Sequence, residues 1–143
     1  MLVRELMSSD VVTCPVGATL REAVGKLCEH GVGSVILLSP EGHPTGIVTE
    51  SDALRAGYET DRPFSEIQVS ELSHRAVVTA APDETVQHVA RRMADEGVKK
   101  VPVMDDIDLV GIVTLTDIVW HLSDLRSEAA EFAEMGREWG PHD

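Results

Sequence analysis

A seven-residue pattern that ends in an aspartate occurs twice in the 143-residue chain. It reads Gly-Ile-Val-Thr-x-x-Asp and covers Gly46–Asp52 and Gly111–Asp117. A Thr at a helix N-cap with an acid three residues later forms a capping box, which by itself explains both residues. The same geometry suits a phosphorylated ligand, because a helix N-terminus offers N–H groups to an anion and a carboxylate accepts hydrogen bonds from ribose hydroxyls. A helix cap and a ligand site therefore stand as alternatives.

Both patterns belong to a longer internal repeat. With the chain shifted by 66 residues, Val11-Val12-Thr13 meets Val77-Val78-Thr79, and Gly31 meets Gly97. After one residue is dropped in a turn, the two Gly-Ile-Val-Thr-x-x-Asp segments also coincide. Repeats of this length are supersecondary units that bury their apolar faces against each other. The sequence thus predicts two similar units packed together.

Each unit is predicted to have the same order of elements. A strand ends at Thr13 or Thr79, and a helix follows with Thr19 or Thr85 as N-cap. The apolar residues of these helices follow the i, i+3, i+4, i+7, i+8 spacing of a half-buried helix. They are Leu20, Ala23, Val24, Leu27 and Cys28 in the first unit, and Val86, Val89, Ala90, Met93 and Ala94 in the second. Gly31 and Gly97 stand where glycine ends a helix.

Two strands and a second helix complete each unit. The predicted strands are Ser34–Leu38 with Gly46–Thr49, and Val101–Met104 with Leu109–Thr114. The second helices begin at Thr49 and Thr114. The predicted fold class is α/β (α+β), with two βαββα repeats related by pseudo-twofold symmetry and a C-terminal helical extension.

Two segments lie outside the repeat. Residues 58–68 are polar, contain Pro63 and are predicted to be a linker. Beyond Leu122 an acidic helical tail is predicted over residues 123–143. From the end of the second repeat into this tail, apolar residues recur at spacings of four and three, as in a short coiled-coil seam, namely Ile118, Leu122, Leu125, Ala129 and Phe132. A helix packed on its own domain and a dimer contact both fit this seam.

Composition excludes several classes of function. The formal net charge of −13 disfavours nucleic-acid and anionic membrane partners. Aromatic residues make up 3% of the chain, too few for base-stacking platforms. The N-terminus lacks the features of a signal peptide, and two cysteines give no disulfide framework, so we expect a cytoplasmic protein. The acidic, Lys-poor surface suggests a salt-rich (halophilic) cytoplasm, a hypothesis that unfolding in low salt would support and full stability there would contradict.

The repeated pattern resembles the CBS motif, and the pair resembles a Bateman module. The resemblance is carried in the first copy by Leu6-Met7, Val11-Val12-Thr13, Thr19-Leu-Arg-Glu-Ala23, Gly31-Val-Gly-Ser-Val35 and Gly46–Asp52. The second copy supplies Val77-Val78-Thr79, Gly97-Val-Lys-Lys-Val-Pro-Val103 and Gly111–Asp117. The similarity spans about Val3 to Leu122. It implies CBS motif 1 at 1–57 and CBS motif 2 at 69–122.

The resemblance also implies a function. Such modules bind adenosine derivatives (AMP, ADP, ATP or S-adenosylmethionine) in two clefts between the motifs, and they commonly form homodimers. Asp52 and Asp117 match the ribose-binding acids, and Thr49 and Thr114 match the phosphate-side hydroxyls. The other ligand-binding residues expected from the resemblance are Thr13, Cys14, Ser51, Thr79, Ala80, Lys100 and Thr116. No cofactor beyond such a regulatory ligand, no catalytic residue and no metal ligand is expected.

The two copies differ in charge beside the expected clefts. Lys99-Lys100 in the second copy replaces Gly33-Ser34 of the first. Lys100 is a candidate partner for a phosphate, with a solvated surface pair as the alternative. The net negative charge of the protein repels anions, so a nearby lysine should favour binding of an anionic ligand. The two clefts are therefore predicted to differ in their affinity. Arg55 and His121, each one turn after the aspartate, are weaker candidates at the cleft edge.

The sequence contains no clear pattern of catalytic residues or metal ligands. Cys14 has no activating helix N-terminus beside it, so a buried structural cysteine is the favoured interpretation. The six histidines are scattered without metal-ligand spacing, and the acidic turn Asp105–Asp108 lacks the glycine and distal Glu of an EF-hand. The resemblance therefore implies a stand-alone regulatory (sensor) protein with an unknown regulated partner. The alternative is an interaction module with vestigial clefts that uses the 118–132 seam and the acidic tail.

Overall fold

The computed structural model describes residues 1–72 and 77–122. The first unit contains β1 (Thr13–Pro15), α2 (Leu20–His30), β2 (Ser34–Leu38), β3 (Pro44–Thr49) and α3 (Glu50–Thr60), preceded by the short helix α1 (Val3–Leu6). The second contains α4 (Val86–Glu96), β4 (Lys100–Asp105) and β5 (Asp108–Thr114). A further helix, α5, occupies residues 115–122 of the described chain. The predicted α/β class with two similar units is confirmed.

The helices begin and end for the reasons that the sequence suggested. The hydroxyls of Thr19 and Thr85 each accept a hydrogen bond, at 3.2 Å, from the backbone N–H three residues later. Gly31 and Gly97 adopt the left-handed conformation, with φ of 61° and 67°, which glycine tolerates without steric cost. The buried stripe is narrower than predicted, because Cys28 and Ala94 are exposed.

The two sheets have a similar strand arrangement, but the first has three strands and the second has two. In the first unit β1 pairs parallel to β2, and β2 pairs antiparallel to β3. In the second unit β4 pairs antiparallel to β5, and the counterpart of β1 is a single parallel bridge from Ala80 to Val103. The predicted first strands were placed wrongly: β1 starts at Thr13 instead of ending there, and residues 77–79 are not a strand. Of the valines that gave the strand signal, Val12 pairs through its carbonyl, which accepts the Ile36 N–H at 2.9 Å, whereas Val77 and Val78 belong to no strand.

Two hydrophobic clusters form the core. The first lies between α2, α3 and the first sheet, and the second lies between α4, α5 and the second sheet. In the first cluster the buried residues are Cys14, Ala18, Leu20, Ala23, Leu27, Val35, Leu37, Val48, Ala53, Ala56, Ile67 and Val69. In the second they are Val3, Ala80, Val89, Met93, Val101, Val103, Val113 and Ile118. Each cluster therefore contains residues that lie distant in sequence from the rest of its unit.

These distant residues belong to the segments that lead into each unit. Val3 enters the second cluster, where its N–H donates to the Glu84 carbonyl at 2.9 Å. Ile67 enters the first, where its carbonyl accepts from the Leu20 N–H at 2.7 Å. The two units thus exchange their lead-in segments. Residues 8–12 consequently run from one unit to the other, across the space between them.

The predicted linker, 58–68, is partly built into the fold. Its first three residues lie in α3, and Ile67 is buried in the first cluster. Of the predicted apolar seam, Ile118 is buried and Leu122 is half exposed. Leu125, Ala129 and Phe132, with the whole predicted tail 123–143, lie outside the described residues.

Candidate functional site

The start of α5 carries the second threonine–aspartate pair. The Thr114 hydroxyl accepts a hydrogen bond from the Asp117 N–H at 3.1 Å, so Thr114 is the N-cap of this helix. Within the described part of the chain, the Asp117 carboxylate accepts no hydrogen bond. Thr114 and Asp117 both line a cavity of about 190 Å³. We call this cavity the Asp117 cleft.

The opposite wall of the Asp117 cleft comes from the first unit. The segment after α1 pairs with β5, where Ser8 and Ile112 exchange backbone hydrogen bonds of 2.9 Å in both directions. The chain then crosses the cleft on its way to β1. The wall also includes the turn between α2 and β2. The lining residues from the first unit are Ser8, Asp10, Val11, Val12, Val32, Gly33 and Ser34.

The backbone of β5 approaches this crossing segment closely. A Cβ atom placed on Gly111 would lie 2.7 Å from Met7 Sδ and 2.9 Å from the Ser8 carbonyl oxygen. Only glycine admits that approach. The first residue of the repeated pattern thus has a structural role, which is to let the other unit's lead-in segment pack on the strand that ends at Thr114.

Lys100 stands between the two threonine–aspartate pairs. It lines the Asp117 cleft, and its ammonium nitrogen lies 3.4 Å from the position of a Cβ on Gly33. Burial lowers the pKa of Lys100, and the nearby carboxylates of Glu50 and Asp52 partly oppose this shift. Lys99, by contrast, is exposed. Lys100 is therefore a half-buried cation facing both helix starts, and the solvated-pair interpretation holds only for Lys99.

The first threonine–aspartate pair is used differently. The Thr49 hydroxyl accepts from the Asp52 N–H at 3.2 Å, and the Thr49 N–H donates to the Asp52 carboxylate at 2.9 Å. Both hydrogen bonds of a capping box are present. The repeat aligns Met7–Asp10 with residues 73–76, which lie outside the described chain. The cleft expected at Asp52 is thus described only on the side of Thr49, Asp52 and Lys100.

The other predicted ligand residues are placed in three ways. Thr13 lines a second cavity, which adjoins the Asp117 cleft. Three are exposed and line neither cavity; they are Ser51, Thr79 and Thr116. Cys14 and Ala80 are 2% and 4% exposed and lie inside the two hydrophobic clusters. Of the weaker candidates, Arg55 is exposed and His121 is half-buried. The structure therefore brings together Lys100, Thr114 and Asp117.

Sequence reasoning missed two charged residues that line these cavities. Asp10 borders both, and Lys26 on α2 borders the second one. The repeat offered a signal for Lys26, because the 66-residue shift aligns it with another cation, Arg92. Asp10 had no such signal, since its counterpart is Ala76.

The described residues give little support for a nucleophilic cysteine, a metal site or a membrane-spanning helix. Burial raises the pKa of Cys14, which keeps it as a thiol and makes it a poor nucleophile. No group of three or more metal-ligating side chains occurs in 1–72 and 77–122. None of the helices in these ranges has the length and apolar character needed to cross a bilayer.

Comparison with known proteins identifies the family. The family model of the CBS domain matches residues 3–59 and again 69–124. The chain belongs to the CBS-domain family and contains a tandem pair of these domains, as the repeat predicted. No enzyme family is indicated by these matches.

One curated relative is the uncharacterized protein MK0525 of Methanopyrus kandleri. It is 30% identical over 137 residues, which cover 92% of this chain and 70% of the relative. Two other curated relatives are matched over only 41% and 22% of their own length, whereas the CBS domain-containing protein YhcV of Bacillus subtilis is matched over 89% of its length at 29% identity.

Two solved structures are similar over most of the chain. The CBS domain pair of protein MJ0100, in complex with 5′-methylthioadenosine and S-adenosyl-L-methionine, has a TM-score of 0.76 and 30% identity, covering 87% of this chain and 97% of that one. The CBS domain protein PAE2072 from Pyrobaculum aerophilum, complexed with AMP, has a TM-score of 0.77. Its identity is 23%, with 91% of this chain and 99% of that chain covered, so it supports the fold alone.

Proposed function

We propose that this CBS pair is a cytoplasmic regulatory module that binds an adenosine-containing ligand in the Asp117 cleft. The candidate ligands are AMP, ADP, ATP and S-adenosylmethionine. The observation that carries the proposal is the Asp117 carboxylate, which lines a cavity at a helix start and is not used in a cap. The CBS domain pair of MJ0100, which is similar to this chain, is bound to two adenosine compounds, and this supports the choice of ligand class.

The cleft offers a matching group for each part of a nucleotide. The Asp117 carboxylate can accept hydrogen bonds from the ribose hydroxyls. The Thr114 hydroxyl, the N-terminus of α5 and the Lys100 ammonium can receive a phosphate or carboxylate. Val11, Val12 and Ile112 supply apolar surface for the base. One ligand therefore satisfies polar and apolar walls at once.

The Asp52 cleft is proposed to bind more weakly. Its carboxylate already accepts the Thr49 N–H, so a ribose hydroxyl would have to compete with a hydrogen bond that caps α3. Thr49, Ser51 and the shared Lys100 remain as possible ligand contacts on that side. The predicted inequality of the two clefts thus gains a second cause besides the Lys99-Lys100 difference.

Binding in the Asp117 cleft would couple the two units. One wall comes from residues 8–12 and 32–34, and the other from β5 and α5. A ligand that contacts both walls stabilises the arrangement in which they are close, and it shifts an equilibrium only through this differential affinity. We propose that this change is passed to a second copy or to a regulated protein.

The proposal is tested by calorimetric titration of the purified chain with AMP, ADP, ATP and S-adenosylmethionine. At least one should bind with a dissociation constant below 1 mM, and Asp117→Ala should weaken that binding by about tenfold or more, since it removes the acceptor for ribose hydroxyls. Thermal unfolding of the same variant should change little. If no ligand binds below the millimolar range, or if the variant loses stability but not affinity, the proposal is wrong.

A second function is favoured by the exposed apolar surface of the last helix of each unit. Leu54 and Tyr58 on α3 are 75% and 89% exposed, and Val119 and Trp120 on α5 are 53% and 69% exposed. Leu54 and Tyr58 are four residues apart and therefore lie on one face of α3, and exposed apolar side chains that lie together mark interaction surfaces. We propose that they form a homodimer contact. Sedimentation should give a dimer that Trp120→Glu and Tyr58→Glu convert to monomer.

The two functions are separable. A ligand-independent dimer with no adenosine affinity would favour an interaction module with vestigial clefts. A dimer whose stability changes on addition of AMP would support both proposals together.

A further inference from the structure

A second cavity adjoins the Asp117 cleft and is not used by the proposed function. Its volume is about 520 Å³, and it shares part of its wall with the Asp117 cleft. Its lining residues are Ser9, Asp10, Val11, Val12, Thr13, Lys26, His30 and Val32. We call it the Lys26 cavity. It contains two basic residues, Lys26 and His30, and one acidic residue, the exposed Asp10.

Lys26 has hydrogen-bonding capacity to spare in this cavity. Its ammonium donates to the Thr13 carbonyl at 2.6 Å, and this hydrogen bond links the side chain on α2 to the start of β1. The side chain is half-buried, and it forms no ion pair with any residue in 1–72 or 77–122. An ammonium has three N–H donors, so two remain for another group.

The repeat contains a matched residue whose charge is neutralised. Arg92 occupies the equivalent position on α4 and donates to the Thr79 carbonyl at 2.8 Å, as Lys26 donates to Thr13. Arg92 also forms two hydrogen bonds with the Glu84 carboxylate, at 3.0 and 2.6 Å. The residue equivalent to Glu84 in the first unit is Ala18, which is buried. The first unit therefore keeps the cation and lacks its acid.

We propose that the Lys26 cavity is a binding site for an anionic group, a phosphate or a carboxylate, of a small molecule. The net charge of −13 repels anions over most of the surface, so an anion needs a local cation that no carboxylate neutralises. Within the described residues Lys26 forms no ion pair and donates only to the Thr13 carbonyl, whereas Lys100 lies close to Glu50 and Asp52. Charge-assisted hydrogen bonds to phosphate or carboxylate are short and strong, and His30 adds a second donor. This site does not require that a nucleoside bind in the Asp117 cleft.

The test uses tripolyphosphate and citrate as probes, at low ionic strength, with the full chain. Backbone amide resonances are followed by NMR, and affinities by calorimetry. Binding should shift the resonances of residues 9–13 and 26–32. Lys26→Met should weaken binding of the preferred probe about tenfold, because it removes a charge-assisted contact and keeps the aliphatic stem. Lys26→Arg should restore it. Lys99→Met is the matched control, since it removes the same charge from an exposed site outside both cavities.

The outcomes separate this inference from the proposed function. Tighter binding of tripolyphosphate assigns the site to phosphate, and tighter binding of citrate assigns it to carboxylate. If Lys26→Met also lowers the affinity for ATP but not for adenosine, the anion is part of the nucleotide; if neither changes, it is a separate molecule. Shifts that cluster at Lys99-Lys100 instead, equal effects of Lys26→Met and Lys99→Met, or absence of probe binding would each overturn the inference, even where AMP binds normally.

Discussion

The two copies of Gly-Ile-Val-Thr-x-x-Asp start two helices in the same way but use their aspartates differently. Asp52 folds back to accept the Thr49 N–H, which completes a capping box. Asp117 makes no such bond within the described residues, and its carboxylate lines a cavity. One sequence pattern thus serves helix stability in one copy and places a carboxylate at the wall of a cavity in the other. A motif of this kind cannot be assigned a single role from its residues.

The cations on α2 and α4 repeat this contrast in the opposite copy. Arg92 is held by Glu84 in the second unit, and Lys26 faces a cavity in the first. Among residues 1–72 and 77–122, the first unit thus contributes a cation that forms no ion pair, and the second contributes a carboxylate that accepts no hydrogen bond. Because the lead-in segments are exchanged, both groups lie along the same crossing segment, residues 8–13. We therefore propose that the ligand surface is assembled from Lys26 of the first unit and Asp117 of the second.

Removal of Arg92 should give the largest difference between the two copies. Arg92→Met loses two hydrogen bonds to a carboxylate and one to the Thr79 carbonyl, which should lower the free energy of unfolding by about 2–3 kcal/mol. Lys26→Met loses a single bond and should cost about 1 kcal/mol. Urea unfolding measures both. Equal losses would show that the ion pair adds nothing, and the contrast between the cations would fail.

Truncation of the aspartates should give a smaller difference of the same kind. Asp52→Ala removes the carboxylate that caps α3 and should cost about 1 kcal/mol. Asp117→Ala removes only the interaction of the carboxylate with the start of α5, a few tenths of a kcal/mol. Thermal unfolding of both variants in the same buffer makes the comparison. A larger loss for Asp117→Ala would mean that it, too, is a cap.

The smallest predicted effect is the contribution of Glu84, in the second unit, to the pH dependence of stability. The hydrogen bond from Arg92 lowers the pKa of Glu84 below its ordinary value near 4.5. A group with a lowered pKa in the folded state stabilises the fold above its unfolded-state pKa, and that stability is lost as the pH falls through the folded-state value. Glu84→Gln should therefore flatten the stability profile below pH 4.5 relative to the native chain. An unchanged acid limb would show that Glu84 contributes nothing to it.

The repeat made much of the fold predictable. Helix starts at Thr19, Thr49 and Thr85 were readable because N-caps depend on local hydrogen bonds. The first strands were misplaced, because pairing partners decide where a strand begins and short valine runs do not. The exchange of lead-in segments could not be predicted from local sequence patterns, because it depends on contacts between distant residues. Gly111 is the residue that reflects it, since the backbone of the other unit's lead-in segment passes there at contact distance.

The candidate site was predictable only in part. Thr114 and Asp117 could be predicted to lie at one cavity because their spacing suits a helix start, and Lys100 because the two copies differ in charge at that position. Cys14 and Ala80 were expected near the ligand but are buried in the cores. The proposed role of Lys26 follows from a difference between the copies: Ala18 in the first unit replaces Glu84, the acid that Arg92 binds in the second. Such a difference is visible in the sequence only once the structure shows which residues touch.

The most direct test of unequal copies is the number of AMP molecules bound per chain at saturation, measured by calorimetry for the native protein, Asp117→Ala and Asp52→Ala. We expect one tight site per chain, lost in Asp117→Ala and retained in Asp52→Ala despite its lower stability. Two equal sites, or loss of the tight site in Asp52→Ala, would contradict the account.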